Sequence, residues 1–459
     1  MFCNIEQFKH IFETLLFQAD EDSGVVLFDC SVRLYCYADI DSMCAAEILK
    51  KLFFREHVIW TLKPIRSYDD LDRSDLRPSQ NMKSLRAIIL LNFGSNLELA
   101  REFDLTENPH VNIYVIDSLH PVNLTNLYDR NSHIFIVYDE ESEEYQEYIE
   151  KALRKESEEE LQINTVFTDD FGRPITLDES DNIETEPKRR YGTSIALMTY
   201  FLASKLLLKD NDMLWLAIIG HTSLYITKRL ALLDYKNNVD ILDAEVKELN
   251  DLYMSNRLHR HKAVASEADD KRIIPIYEYN CVLMGHWTVY ESILNSEYTI
   301  TKMKLKENQG ENLDKLLRNM GISHKMSKEY FPAMDVEVAN RLAEMINSEG
   351  PKYKFDIPLY DGWAKFYGYK LPTFSASDAV YGLITLLKTK PSASIEFGVE
   401  IQWVNDFNGR FEWLNNFHTA LDALDSKNGW ILLKAAIELR KKLQPLIING
   451  GARDYCLFS

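Results

Sequence analysis

Paired cysteines are absent from this 459-residue sequence. Its six cysteines, Cys3, Cys30, Cys36, Cys44, Cys281 and Cys456, never fall into C-x-x-C spacing. That reads as reduced buried thiols of an intracellular protein, not as a disulfide frame or a zinc site. Net positive charge is absent as well: 71 acidic against 52 basic residues leave −19. A chain with that balance repels nucleic acid on average, so any such contact must come from a local basic patch. Long apolar runs are missing too. The most apolar stretch, "SIALMTYFLASKLLL", has 15 residues and carries Lys205, too short to span a bilayer, and it reads as a buried core helix. The amphipathic start "MFCNIEQFKHIFETLLFQ" contains acids and has no basic region ahead of an apolar core, so no secretory signal is expected. There is no P-loop, no G-x-G-x-x-G and no G-x-S-x-G elbow, which removes the commonest phosphate-cradling and serine-nucleophile signatures.

What is present is a core-forming composition, 46% hydrophobic, on a length that suits roughly three domains. Strand-like runs at Val32–Ala38, His57–Pro64, Arg86–Asn92, Asn112–Asp117 and His133–Tyr138 alternate with helical patterns at Ser42–Phe54 and Asn96–Glu102. Near-continuous apolar strands interleaved with helices predict a mostly parallel, doubly wound α/β sheet covered on both faces. Next comes an acidic arm, Asp139–Glu160, with 11 acids against 3 bases, and a polar linker over 165–190. Tyr191–Leu230 predicts two packed helices that break near "KDND". From about Val239 the signals are helical: Ile241–Met254, Val282–Asn295, Leu313–Met320, Val336–Ile346, Ala376–Leu387 and Gly429–Leu443. An all-helical domain is therefore expected over 235–410, with "RLHRHKAVASEADDKR" as a loop within it.

Chemistry points to strand ends. Asp39 and Asp41 stand two apart where the first predicted strand meets its helix. Both can turn toward one ion, or Asp41 can cap the helix at Ser42, where a carboxylate complements the helix dipole. Asp117 ends another predicted strand and is followed by His120 and Pro121. That is ordinary turn chemistry, yet two acid-tipped strands beside a histidine are also what a two-metal phosphoesterase needs. Basic side chains cluster in "RLHRHK", where Arg257, Arg260 and Lys262 are the candidates for gripping phosphates; a solvated loop is the plainer reading.

A longer series of blocks resembles a known family. "YADIDSMCAAEILKKLF", "IILLNFGSN", "VIDSLHPVNLTNLYD", "YGTSIALMTYFLASKLLLKDNDMLWLAIIGHTS", "YEYNCVLMGHWTVYESILNSEYT" and "FPAMD" follow one another in the order of the cell division cycle protein 45 family, eukaryotic replication factors related to the RecJ-like DHH phosphoesterases. The resemblance implies a DHH-like α/β domain over 1–234, the helical insert over 235–410, and over 411–459 a helix and the start of a reduced or truncated DHHA1-like region. Set against the DHH motifs, the ligand positions read Tyr37, Asp39, Asp41, Asn92, Asp117, Leu119 and Ser223, with His120 one place late. Four have lost a ligand: Tyr37, Asn92, Leu119 and Ser223. Two divalent ions bring roughly four positive charges and need several anionic ligands to offset their dehydration. Asp39, Asp41 and Asp117 supply three negative charges at most, so Asp39, Asp41, Asn92, Asp117, His120 and Ser223 are read as vestigial, with no metal or other cofactor expected.

The resemblance further implies a nuclear, non-catalytic scaffold that joins the Mcm helicase ring to the GINS complex and contacts single-stranded DNA, without membrane association and monomeric by itself. In that setting Glu140, Glu141, Glu143, Glu144, Glu147 and Glu150 of the acidic arm are the candidate partner contact, since a dense charge run steers a basic surface into encounter. The rival expectation is a divergent but active metal-dependent DHH nuclease. A single-stranded DNA binder acting alone is a third.

Overall fold

A computed structural model of the chain describes residues 2–3, 5–16, 31–71, 85–103, 105, 111–120, 122–123, 126, 133–137, 190–259, 272–304, 310–353, 359–368, 373–403, 412–425 and 428–456. Two compact units divide it: residues 1–37 with 52–206, and residues 38–51 with 207–459.

Among the described residues the first unit is built on a six-stranded sheet of β1 (Phe2–Cys3), β2 (Ser31–Tyr37), β3 (Ile59–Ile65), β4 (Leu85–Leu91), β5 (Asn112–Ile116) and β7 (Ile134–Val137), in the order β1-β7-β5-β4-β2-β3. Every neighbouring pair is parallel. Runs such as "LRAIILL" and "NIYVI" are buried almost throughout, as a parallel sheet covered on both faces requires. Strand order reverses between β2 and β4, the switch point of a doubly wound sheet, where ligand crevices open beyond the strand C-termini. Tyr35, Ile88, Leu90, Phe93, Phe103, Ile113 and Val115 fill one core of this unit. Helix α1 (Ile5–Leu16) brings Phe12 into a stack on Phe53, ring centroids 5.7 Å apart. Helix α2 (Ile40–Arg55) follows β2 directly, α3 (Leu99–Glu102) lies between β4 and β5, and α4 (Ile195–Lys205) ends the unit. Two short strands, β6 (Leu119–His120) and β8 (Arg190–Tyr191), pair antiparallel. Arg190, where the linker was expected to end, and Tyr191, where the helices were expected to begin, are thus part of a ladder.

The second unit carries α5 (Asn211–Ile226), α6 (Leu232–Asn237), α7 (Val239–His259), α8 (Val289–Leu294), α9 (Glu297–Met303), α10 (Glu311–Asn319), α11 (His324–Ser327), α12 (Val336–Glu349), α13 (Ala376–Lys388), α14 (Pro391–Glu396), α15 (Glu412–Ala423) and α16 (Gly429–Asn449). It is not all-helical. Strands β9 (Ile273–Tyr279), β10 (Leu359–Phe366) and β11 (Thr373–Ser375) form an antiparallel sheet in the order β11-β10-β9. Pro275 lies in β9, an edge strand, where a missing N–H does least harm to the ladder. The expected helix Val282–Asn295 is also broken: Leu283 takes φ +51 and Trp287 is extended before Thr288 caps α8. The loop expected at "RLHRHK" is partly helix, because α7 runs through Arg257 to His259.

Candidate functional site

The β2–α2 elbow is set by one carboxylate. A helix start leaves its first N–H groups without intrahelical partners, and a side-chain oxygen just ahead of it can accept from them. Asp39 does so: its Oδ1 accepts from the Ser42 N–H at 2.8 Å, while its carbonyl accepts from the Met43 N–H at 3.1 Å. The expected cap was Asp41. The structure moves that role to Asp39, because α2 starts at Ile40 and takes Asp41 into its first turn, 1% exposed. An acid there still complements the helix dipole.

The other oxygen of Asp39 accepts from Arg229, Nη1 to Oδ2 at 2.7 Å. Arg229 follows the C-terminus of α5, where Lys228 adopts φ +59. There the Lys228 N–H donates to the Tyr225 carbonyl at 3.0 Å and the Arg229 N–H to that of Leu224 at 2.8 Å, which is the Schellman closure of a helix end. Ser223, one turn earlier, donates its hydroxyl to the Gly220 carbonyl at 2.7 Å. Asp39, Asp41, Ser223 and Arg229 all belong to the second unit.

The first unit holds the remaining positions. Asn92 follows β4 at φ +49, a left-handed conformation that Asn tolerates better than most residues. Its Oδ1 accepts from both the N–H and the hydroxyl of Ser118, at 3.0 and 2.9 Å. Asp117 turns back locally, its Oδ1 accepting from the Leu119 N–H at 2.9 Å. Leu119 and His120 pair with Tyr191 and Arg190, and the Gly192 N–H donates to the Ser118 carbonyl at 2.6 Å.

These residues do not fit a two-metal centre. The Asp39 oxygens are engaged by a helix N–H and a guanidinium, Asn92 Oδ1 by Ser118, and the Ser223 hydroxyl by its own helix. Leu119 offers no donor at all. Among the described residues no group of three or more His, Cys, Asp or Glu side chains is arranged to hold an ion. Sequence reasoning missed Arg229 because its partner lies 190 residues away, and the "KRL" that follows α5 looks like any solvated helix end. Of the other candidates, Arg257 is on α7, whereas Arg260, Lys262 and the arm residues Glu140, Glu141, Glu143, Glu144, Glu147 and Glu150 lie outside the described residues.

A second polar constellation was not foreseen. Glu278 of β9 accepts from the Ser377 hydroxyl at 2.7 Å and from the Tyr360 hydroxyl at 3.3 Å. Its side chain lies across Gly362, where a Cβ would stand 2.7 Å from Oε2. Burial of the carboxyl, then the nearby Asp378 carboxylate, pushes Glu278 up to about 7. Asp378 caps α13 in a box with Ser375 and bonds His286 Nε2 at 3.0 Å. Burial pulls His286 down, but the Asp378 bond and charge outweigh it and leave the imidazole above its ordinary value. Of the serine hydroxyls in this network, Ser375 accepts from the Asp378 N–H and Ser377 donates to the half-buried Glu278.

Comparison with known proteins decides the lineage. The family model described as CDC45 matches residues 32–190 and 185–453. The chain belongs to the CDC45 family. The cell division control protein 45 homolog of Schizosaccharomyces pombe is 28% identical over 92% of this chain and 74% of its own length. The homolog of Mus musculus is 28% identical over 78% of this chain, and the match spans 65% of the mouse protein. The crystal structure of CDC45 from Entamoeba histolytica superposes with a TM-score of 0.65 over 98% of this chain and 74% of that one, at 16% identity, a likeness of fold. A mixed α/β chain with a parallel sheet and substantial helix is thus the CDC45 architecture.

Proposed function

We propose that this chain is a DNA replication factor acting without catalysis, a nuclear scaffold that joins the Mcm helicase ring to GINS. The observation that carries the reading is CDC45 family membership across most of the chain, which supports a role in DNA replication. The non-catalytic part rests on the donor atoms, which are committed to a helix cap, an arginine and a strand-end serine. The acidic arm over Glu140, Glu141, Glu143, Glu144, Glu147 and Glu150 is proposed to meet a basic partner surface, its charge run raising the association rate more than the affinity. Single-stranded DNA is proposed as a secondary contact, weak on a chain of net charge −19.

The test is a pull-down of purified Mcm ring and GINS on this chain across a salt series. Joint capture is expected, and lysines at Glu140, Glu141, Glu143 and Glu144 are expected to slow it at low salt. Failure to retain either partner contradicts the scaffold, and unchanged capture by the lysine variant assigns the arm to solubility. Manganese-dependent degradation of single-stranded DNA that disappears in Asp39→Ala would establish the nuclease instead.

A further inference from the structure

Family membership leaves a question open: what balances the carboxylate of Asp39. Asp39 is 12% exposed at its side chain and the guanidinium of Arg229 30%, so the pair is only partly screened by water. A carboxylate at that depth needs a cation or a set of donors. Arg229 supplies a permanent charge in a planar fork. Its backbone is pinned by the Schellman closure at the end of α5, with Lys228 left-handed just before it.

We propose that Arg229 is the chain's own counter-cation at Asp39, holding the oxygen that a divalent ion would need, so that arginine and ion exclude one another there. The reason is geometric. Oδ1 is spent on the Ser42 N–H at 2.8 Å and Oδ2 on Arg229 at 2.7 Å. A divalent ion approaching Asp39 meets the positive guanidinium already on that carboxylate, and is repelled unless Arg229 moves away. Arg229 is therefore a positioning residue: it ties the elbow over 38–51 to the end of α5 within one unit. In place of an exchangeable ion, the elbow has a covalently supplied charge whose occupancy does not depend on metal concentration. This goes beyond the scaffold reading and is independent of it, since no replication partner enters the test.

The experiment is paramagnetic broadening by millimolar Mn²⁺ in the full chain with labelled isoleucine methyls, read at Ile40, the residue after Asp39. In the wild type the Ile40 δ1-methyl signal is expected to persist. In Arg229→Ala it is expected to broaden away, in Arg229→Lys to persist because a cation is restored, and in Arg229→Ala with Asp39→Asn to persist because the ligand is gone. Equal broadening in wild type and Arg229→Ala overturns the proposal, as does a signal that persists in folded Arg229→Ala. If Arg229→Ala does not fold, the wild type and Arg229→Lys still decide, since broadening in either contradicts a charge that keeps ions out.

Discussion

Asn92 Oδ1 receives two donors from one residue, the N–H of Ser118 at 3.0 Å and its hydroxyl at 2.9 Å. These two bonds tie the C-terminal ends of β4 and β5. The amide oxygen accepts both from a left-handed backbone that suits Asn.

Asn92→Val is expected to lose about 2–4 kcal/mol, because a β-branched residue is strained at positive φ and the Ser118 donors are left unpaired. Asn92→Asp keeps the acceptor and the conformation, and is expected to stay within about 1 kcal/mol of wild type. Urea unfolding of the two variants measures both. Equal losses would show that the Ser118 bonds carry no weight.

The buried cation of the second unit gives a sharper contrast. Lys365 of β10 is 2% exposed, bonds Asp212 of α5 at 2.6 Å, and lies near the rings of Trp215 and Tyr367. Asp212→Asn removes the carboxylate that Lys365 bonds and is expected to cost about 3–5 kcal/mol, whereas Asp212→Asn combined with Lys365→Met is expected to recover most of it. Thermal melts of the single and double variants check this. A double variant no better than the single one would contradict the pairing.

Protonation of Glu278 gives a pH signature. Its folded value of about 7 stands above the ordinary 4.5, so the stabilising proton is present below pH 4.5 and lost as pH rises through 7. His286, also raised, adds a loss on the alkaline side of its ordinary 6.5. His221 acts the other way: burial lowers it to about 4, so its contribution is lost as pH falls from 6.5 toward 4. The difference between wild type and Glu278→Gln isolates the first effect. Wild-type Tm is expected to fall relative to the variant between pH 4.5 and 7, on the order of 2 kcal/mol in stability, and a flat difference would place the carboxyl in water.

The parallel sheet was legible because its strands are apolar on both faces. Val32–Ala38 became Ser31–Tyr37, and Arg86–Asn92 became Leu85–Leu91. The helices expected at 336–346, 376–387 and 429–443 run over 336–349, 376–388 and 429–449. The sheet of β9 and β10 was hidden by its chemistry. Pro275 and Glu278 interrupt one strand, Gly362 and Lys365 the other, and each makes sense only across the sheet: Gly362 admits Glu278, and Lys365 finds Asp212. Local pattern carries no such information, because the partners are far apart in sequence. The same holds for the site. The positions of the aspartates could be read directly, but Arg229 and the Arg190–Tyr191 ladder appear only in three dimensions. Placing the cap at Asp41 failed by two residues, the ordinary uncertainty of a helix boundary.

The most direct measurement is unwinding of a forked DNA by purified Mcm ring and GINS, with and without this chain, alongside a manganese nuclease assay on the same preparation. A non-catalytic scaffold predicts unwinding that requires the chain and no degradation of single-stranded DNA. Unwinding that proceeds equally well without it, or strand degradation abolished by Asp39→Ala, would contradict it.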